Sequence, residues 1–412
     1  MESFGFNTAL LHEAGGKDPS TGATLVPIYQ SSAFSHESTE ELERIFENKA
    51  FGYSYTRINN PTIEAFEKKV TMLEGGIGSV ACASGMAALS NAFLNILQAG
   101  DEIVAAPGLY GGTIDLFRDF EAFGIKTRYA RENSPEAFEE QINERTRLVF
   151  AETIGNPKLD VTDISALADM VHSHSLPLIM DNTTATPYLV KVLGMGADIV
   201  VNSSSKYING NSDAISGILT DGGTYQWTKE MYPGLADYIK FGKMAYIAKL
   251  RKGLFRNMGA CLSPQNAFLN SVGLETLGLR MERHCKNALD LALYLQQLDP
   301  EIEVNYPGLP QSPYYHLAEK QFSHGYGGII TLRAGSRERA FRIMNRLTIP
   351  VLVSNVGDTK TLVIHPASTI SLFCTPQEKA ASGVFDDLIR ISVGIEDIED
   401  LKADFKQAVE GE

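Results

Sequence analysis

The chain has 412 residues, 44% of them hydrophobic and 21% charged, with a formal net charge of −14 at pH 7. That composition suits a globular protein of about two or three domains and excludes a disordered chain or a coiled coil. The acidic balance excludes a protein built to wrap nucleic acid, and no apolar run approaches the ~20 residues of a membrane helix.

Glu2 stands near the start and the first basic residue is Lys17, so no secretory signal is expected. Residues 1–60 are rich in polar and turn residues and show little sustained periodicity. Within them, residues 48–62 (NKAFGYSYTRINNPT) are aromatic, basic and Pro-ended, and read as an arm or loop. From Ile63 the pattern changes. Ile63, Phe66, Val70 and Leu73 recur at helical spacing, and Gly75-Gly76 ends the run. A short strand, SVACA, leads into a predicted helix over residues 85–98. Further strands read as EIVAA, IKTRYA, RLVFAE, LPLIMD and ADIVVN, with helical segments between them. Short apolar runs alternating with helices predict an α/β protein whose mostly parallel sheet is covered on both faces. Such sheets place ligands at the C-terminal ends of their strands. After about residue 255 a long amphipathic helix is predicted over residues 264–298, followed by the short strands GGIITLRA, TLVIHP and LIRISVGI. The expected organisation is an N-terminal arm over 1–60, a ligand-binding domain over 61–255 and a smaller C-terminal α+β domain over 256–412.

Cys82, Cys261, Cys285 and Cys374 are scattered without a CxxC pair, which predicts reduced thiols in a cytosolic protein. His172 and His174 flank one serine with no further ligand group after them. They read as the surface of a helix near its end, and no metal site is expected.

The chemistry concentrates at strand ends. In residues 197–210 (ADIVVNSSSKYING) a buried strand ends in three serines and then Lys206. Desolvation there would lower the amine pKa and suit Schiff-base chemistry, although most lysines just past a strand are simply exposed. Asp181 ends another apolar strand, so one sheet edge offers an amine and a carboxylate. Pyridoxal phosphate needs that pair, a lysine for the imine and an acid for the pyridinium nitrogen. Alone, Asp181 reads equally as a helix cap. Ser84-Gly85-Met86 follows SVACA and opens a helix, a junction whose free N–H groups favour an anion. Ser203 and Ser205 add hydroxyls. Tyr110, in APGLYGGT, offers an aromatic face, and Asn156, in ETIGNP, offers a donor to a ring oxygen. Packing and a Pro-bounded turn are the plain alternatives for those two.

The segments YTRINNPT, ASGMAAL, LYGGT, ETIGNP, DNTTATPY, SSSKYING, VIHPAS and RISVGIED resemble the Cys/Met-metabolism family of pyridoxal-phosphate enzymes, from about Thr21 to the C-terminus. The resemblance implies the fold type I, aminotransferase-like architecture and pyridoxal 5'-phosphate as cofactor. It implies Lys206 as the Schiff-base lysine and proton shuttle, Asp181 on the pyridine nitrogen, and Tyr110 stacked on the ring and assisting proton transfer. It places Ser84 and Thr183 at the cofactor, Gly85, Met86, Ser203 and Ser205 at its phosphate, and Asn156 at the ring hydroxyl. Tyr55 and Arg57 are implied to reach the phosphate of a neighbouring subunit, in a dimer-shared site within a tetramer. Arg390, with Ser354 or Asn355, is implied to grip the substrate α-carboxylate, for which an arginine fork is suited.

Within the family, the stretches ETIGNPKLDVTDI, LRMERHCKNAL, VNYPGLPQSPYYHLAEK and SNVGDTKTLVIHPAST resemble O-acetylhomoserine sulfhydrylase. That implies a transferase of methionine biosynthesis in the cytoplasm, acting on an amino-acid substrate with sulfide or methanethiol by γ-replacement. The alternatives are γ-elimination, as in methionine or cystathionine γ-lyase, and cystathionine γ-synthase. Methionine γ-lyases usually carry a cysteine where this chain has Gly112. A non-catalytic dinucleotide-binding module is disfavoured, because LEGGIGSV precedes a strand where a GxGxxG fingerprint should follow one. After HPAST the family usually continues with Thr-His, whereas this chain has Ile370-Ser371. That loop borders the substrate entrance in relatives, so the departure bears on substrate choice and not on cofactor binding.

Overall fold

The computed structural model describes residues 4–13, 17–18 and 20–411; Glu2 lies outside them. Its larger sheet holds β1 (Gly78–Cys82), β2 (Glu102–Ala105), β3 (Lys126–Tyr129), β4 (Thr146–Glu152), β5 (Leu178–Asp181), β6 (Ile199–Asn202) and β7 (Gly217–Asp221). The order across the sheet is β1-β7-β6-β5-β4-β2-β3. Neighbours from β6 to β3 are parallel, and β7 runs antiparallel between β1 and β6. The six strands expected from sequence all lie here. The seventh, β7, was not expected. All five of its residues are buried, so it has no alternation of polar and apolar positions to betray it.

Helices cover this sheet, and local chemistry sets their ends. The helix Pro61–Glu74 starts with Asn60 accepting the Thr62 N–H at 2.9 Å and with Pro61 in its first turn. Its Ile63, Phe66, Val70 and Leu73 face the core as their spacing predicted. The helix after β1 spans Gly85–Leu94 and stops short of residue 98. Asn95 caps it and turns its side-chain amide to the Tyr246 carbonyl at 3.0 Å. Among the described residues of the first 60 are two helices that their weak periodicity did not reveal, Phe6–His12 and Thr39–Phe46. The second is capped by Ser38 and buries none of its residues.

A second sheet, ordered β10-β11-β12-β9-β8, holds β8 (Glu303–Asn305), β9 (Ile329–Arg333), β10 (Val351–Leu352), β11 (Leu362–Ile364) and β12 (Leu388–Ser392). It is antiparallel except for the pair β10 and β11. The long helix expected over residues 264–298 is two helices, Pro264–Leu274 and Leu277–Leu298. The break has a physical cause. The chain after Lys206 docks there, so close that a Cβ on Gly273 would lie 2.2 Å from the Asn209 carbonyl oxygen. Buried Arg280 gathers the exposed carbonyls, donating to Tyr207 O at 2.6 Å, Gly273 O at 2.6 Å and Ile208 O at 3.3 Å. The second helix then joins two cores. Leu277, Met281 and Cys285 pack with the large sheet, and Ala288, Leu291 and Leu295 pack with the small one. Among the described residues no helix is long and apolar enough to cross a membrane.

Arg280→Leu should therefore cost stability. Removing the guanidinium leaves three buried carbonyls short of a donor, at roughly 1–3 kcal/mol each. A fall in the urea midpoint at unchanged m-value is expected; an unchanged midpoint would show that the carbonyls find other partners.

Candidate active site

The C-terminal ends of β1, β2, β4, β5 and β6 open on one edge of the large sheet, and β7 begins at that same edge. A cavity of about 410 Å³ lies there. Ser84, Gly85 and Met86 reach it from the end of β1, and Tyr110 from the connection after β2. Asn156 comes from the loop after β4, and Asp181 and Thr183 from the end of β5. Ser203, Ser205 and Lys206 follow β6. The small sheet closes the cavity with Arg390, from the middle of β12, and with Ser354 and Asn355, from the loop between β10 and β11.

At the centre, Lys206 Nζ donates to Asn355 Oδ1 at 2.5 Å. Burial, aided by the positive charge of Arg390, lowers the amine pKa to about 8. Arg390 is 3% exposed and donates to Asn156 Oδ1 at 3.1 Å and to Asn355 O at 3.0 Å. Burial lowers its pKa to about 10, so it stays charged at neutral pH. Among the described residues, the hydrogen-bond acceptors of these two cations are neutral amide oxygens. The chemistry of the donors therefore fits a ligand that brings its own anionic group.

The start of the helix Gly85–Leu94 lies on the same cavity. Ser84 Oγ takes the Ala87 N–H at 3.1 Å and Ser84 O takes the Ala88 N–H at 3.0 Å. The first-turn N–H groups of Gly85 and Met86 are left for a ligand. Gly85 is required at that spot, because a Cβ would lie 2.7 Å from the Ser203 Cβ. Thr183 ties the adjoining strand ends together, donating its N–H to Asp181 Oδ1 at 2.8 Å and accepting the Ser203 N–H at 2.8 Å. Ser205 differs from Ser203. Its hydroxyl donates to Ser216 O at 2.9 Å and accepts the Ser216 N–H at 2.8 Å, which anchors the start of β7.

The acidic end of the cavity holds a residue that sequence reasoning did not single out. Glu152 ends β4 and is the register partner of Asp181. It is 8% exposed, and its Oε1 accepts the Tyr110 N–H at 2.7 Å. Burial raises both carboxyls above the ordinary range, and for Glu152 the charge of Asp181 adds to the effect. The signal was present, since Glu152 closes the apolar strand RLVFAE as Asp181 closes LPLIMD. Thr184 and Ser212 also line the cavity, with Leu89, Val356 and Ile370 forming apolar wall. Ile370 thus borders the cavity, whereas its neighbour Ser371 is buried outside it.

Tyr55 and Arg57 do not line this chain's cavity. The Arg57 guanidinium lies 5.4 Å from the centre of the Tyr55 ring and donates to the Arg256 carbonyl. Gly112 abuts Tyr110; a Cβ there would sit 2.6 Å from the ring, so a cysteine at this position requires Tyr110 to move. The four cysteines are free thiols. His172 and His174 fall at the end of the helix Ile164–Ser173 and pair with Asp198 and Glu139, each at 2.9 Å. Among the described residues no group of three or more His, Cys, Asp or Glu is disposed to hold a metal ion.

Residues 7–410 match the family described as Cys/Met metabolism PLP-dependent enzyme. The chain is 41% identical to an O-acetyl-L-homoserine sulfhydrylase of Leptospira meyeri, over 98% of this chain and 96% of the relative. It is 40% identical to O-acetyl-L-homoserine sulfhydrylase 1 of Thermus thermophilus, over 98% and 99%. It also superposes with a TM-score of 0.92 on a crystal structure from Campylobacter jejuni, at 33% identity, over 99% of this chain and 100% of the other. That protein is assigned as an O-acetylhomoserine (thiol)-lyase and contains a lysine bearing a pyridoxyl 5'-monophosphate group.

The depressed amine gives a direct test. In cofactor-free protein, acylation of Lys206 should rise with a midpoint near pH 8, about two units below an ordinary lysine. Peptide mass spectrometry across a pH series measures it, and a midpoint near pH 10 would mean a fully hydrated amine.

Proposed function

Because the chain belongs to the Cys/Met-metabolism family of PLP-dependent enzymes, we propose that it catalyses γ-replacement on O-acetyl-L-homoserine. Sulfide or methanethiol displaces acetate, giving homocysteine or methionine. One observation carries this reading: a half-buried amine at Lys206 and a buried guanidinium at Arg390 share one cavity with the Asp181 carboxyl.

The residues present fit pyridoxal 5'-phosphate. Gly85 and Met86 N–H groups and the Ser203 hydroxyl would hold its phosphate, and Asp181 its ring nitrogen. The amide of Asn156 would meet its ring oxygen, and the Tyr110 ring would stack on it. When bound, the cofactor supplies an electron sink for the pair left behind as a proton leaves the substrate α-carbon. Lys206 Nζ, with its pKa near 8, is suited to accept that proton and to return it during the same cycle. Arg390 presents a fork to the substrate carboxylate, steadied by Asn156 and Asn355. The apolar wall of Leu89, Val356 and Ile370 limits water near the departing acetate, which favours a thiol over hydrolysis. Gly112 beside Tyr110 supports the same choice, because the cysteine of the methionine γ-lyases is missing there.

In this reading residues 61–255 bind the cofactor, residues 256–412 supply the carboxylate clamp, and residues 1–60 form an arm. Tyr55 and Arg57 on that arm serve the cavity of a neighbouring subunit, in a cytoplasmic homotetramer built from dimers with shared sites.

Product partitioning tests the reaction. At saturating O-acetylhomoserine, homocysteine should exceed 2-oxobutanoate once sulfide is added. If 2-oxobutanoate dominates at every sulfide level, the enzyme is a γ-lyase. The shared site has its own test. Arg57→Ala and Lys206→Ala subunits, each inactive alone, should recover activity when mixed and allowed to exchange. No recovery after demonstrated exchange would place Arg57 in its own subunit's service.

A further inference from the structure

We propose that Glu152 is a positioning residue of this site: held uncharged, it ties the segments that carry Tyr110 and Asn156 to the end of β4, and it leaves Asp181 as the single negative charge facing the ring nitrogen. The proposal rests on the pyridoxal-phosphate reading above.

The starting point is register. β4 and β5 are parallel neighbours, and Glu152 is the partner of Asp181. Strand neighbours lie ~4.8 Å apart and partners leave the sheet on the same face, so two carboxyl groups enter one cavity side by side. Two buried carboxylates at that spacing do not both ionise unless a cation separates them. The groups that face Glu152 are Asp181 from β5, Asp160 from the following loop, Tyr110 from the connection after β2, and Lys206 and Arg390 across the cavity. Asp160 has its own cation, Lys158, at 3.6 Å. Lys206 and Arg390 are both engaged by amide oxygens.

Burial and register, more than the hydrogen bonds, decide which acid keeps the proton. Asp181 receives the Thr183 N–H and is the acid placed for a cationic ring nitrogen, which favours its charge. Glu152 turns its carboxyl to backbone. Oε1 takes the Tyr110 N–H at 2.7 Å, and the Asn156 N–H bears on the same group. Both N–H groups favour its charge, but a neutral carboxyl still accepts through its carbonyl oxygen, so protonation weakens these contacts without breaking them. Burial first, and then the neighbouring Asp181 charge, outweigh them and favour the neutral acid. The loops holding the stacking ring and the ring-oxygen amide are thereby fixed to a strand end without adding a second charge beside Asp181.

The test compares Glu152→Ala, Glu152→Gln and Glu152→Asp as cofactor-loaded enzymes, by kcat, KM and the visible circular dichroism of the bound cofactor. Losing the acceptor in Glu152→Ala should lower kcat roughly 5- to 100-fold, the range of one unpaired buried donor, and should change the dichroism. Glu152→Gln, which keeps the carbonyl acceptor and has no charge, should restore the dichroism and most of the lost rate. Glu152→Asp, which can ionise but is too short to reach Tyr110, should do worse than Glu152→Gln. The proposal is overturned if Gln is as poor as Ala, if Asp outperforms Gln, or if Ala matches wild type. Should the Ala variant fail to fold, the order of Gln and Asp still decides. A wild-type protein without a cofactor absorbance band would instead defeat the pyridoxal-phosphate reading itself.

Discussion

Two positive charges are buried together at the meeting of the two sheets, and much of the surrounding structure exists to make that tolerable. Taking an ion out of water costs several kcal/mol even after relaxation. Here the protein answers Lys206 and Arg390 with amide oxygens, and one residue does most of it: Asn355 receives the amine on its side chain and the guanidinium on its main chain. Neutral dipoles stabilise both cations without quenching either, so the favourable ionic partner is left to a ligand. The amine loses part of its basicity in return, which brings its titration close to neutral pH.

The supporting features follow from the same need. Lys206 must be delivered from the end of β6 and held against the loop between β10 and β11 of the other sheet. Arg280 pins the carbonyls just after it, Gly273 lets that segment approach, and Thr183 stitches β5 to the serines before it. Gly85 allows the helix Gly85–Leu94 to start in contact with Ser203. At the two glycines these are close-packing constraints, met by the one residue type without a Cβ.

The sequence made the strand ends legible because short apolar runs closed by Asp181, Asn202 or a Ser-Gly pair are strong local patterns. The features it hid are those fixed by distant neighbours. The helix break at residues 275–276 depends on a segment about 65 residues earlier, and periodicity along one helix carries no sign of it. Glu152 looked like an ordinary strand end until register set it beside Asp181. β7 is buried on both faces and so lacks the alternation that marks a strand. Arg390 could be assigned only through resemblance, because an arginine in the middle of the strand LIRIS reads as a solvent-facing position until the second sheet covers it. Ile370 and Ser371 stood out together as a departure from the family, and the fold separates them: one faces the cavity and the other packs behind it.

The helix Leu277–Leu298 enters both cores, and the reacting groups divide between the sheets it joins. The amine belongs to the large sheet and the guanidinium to the small one, so the gap between them is set by packing along that helix. A change of side-chain volume at Ala288, where the helix passes into the second core, would therefore be felt as a change in that gap and not as the loss of either group.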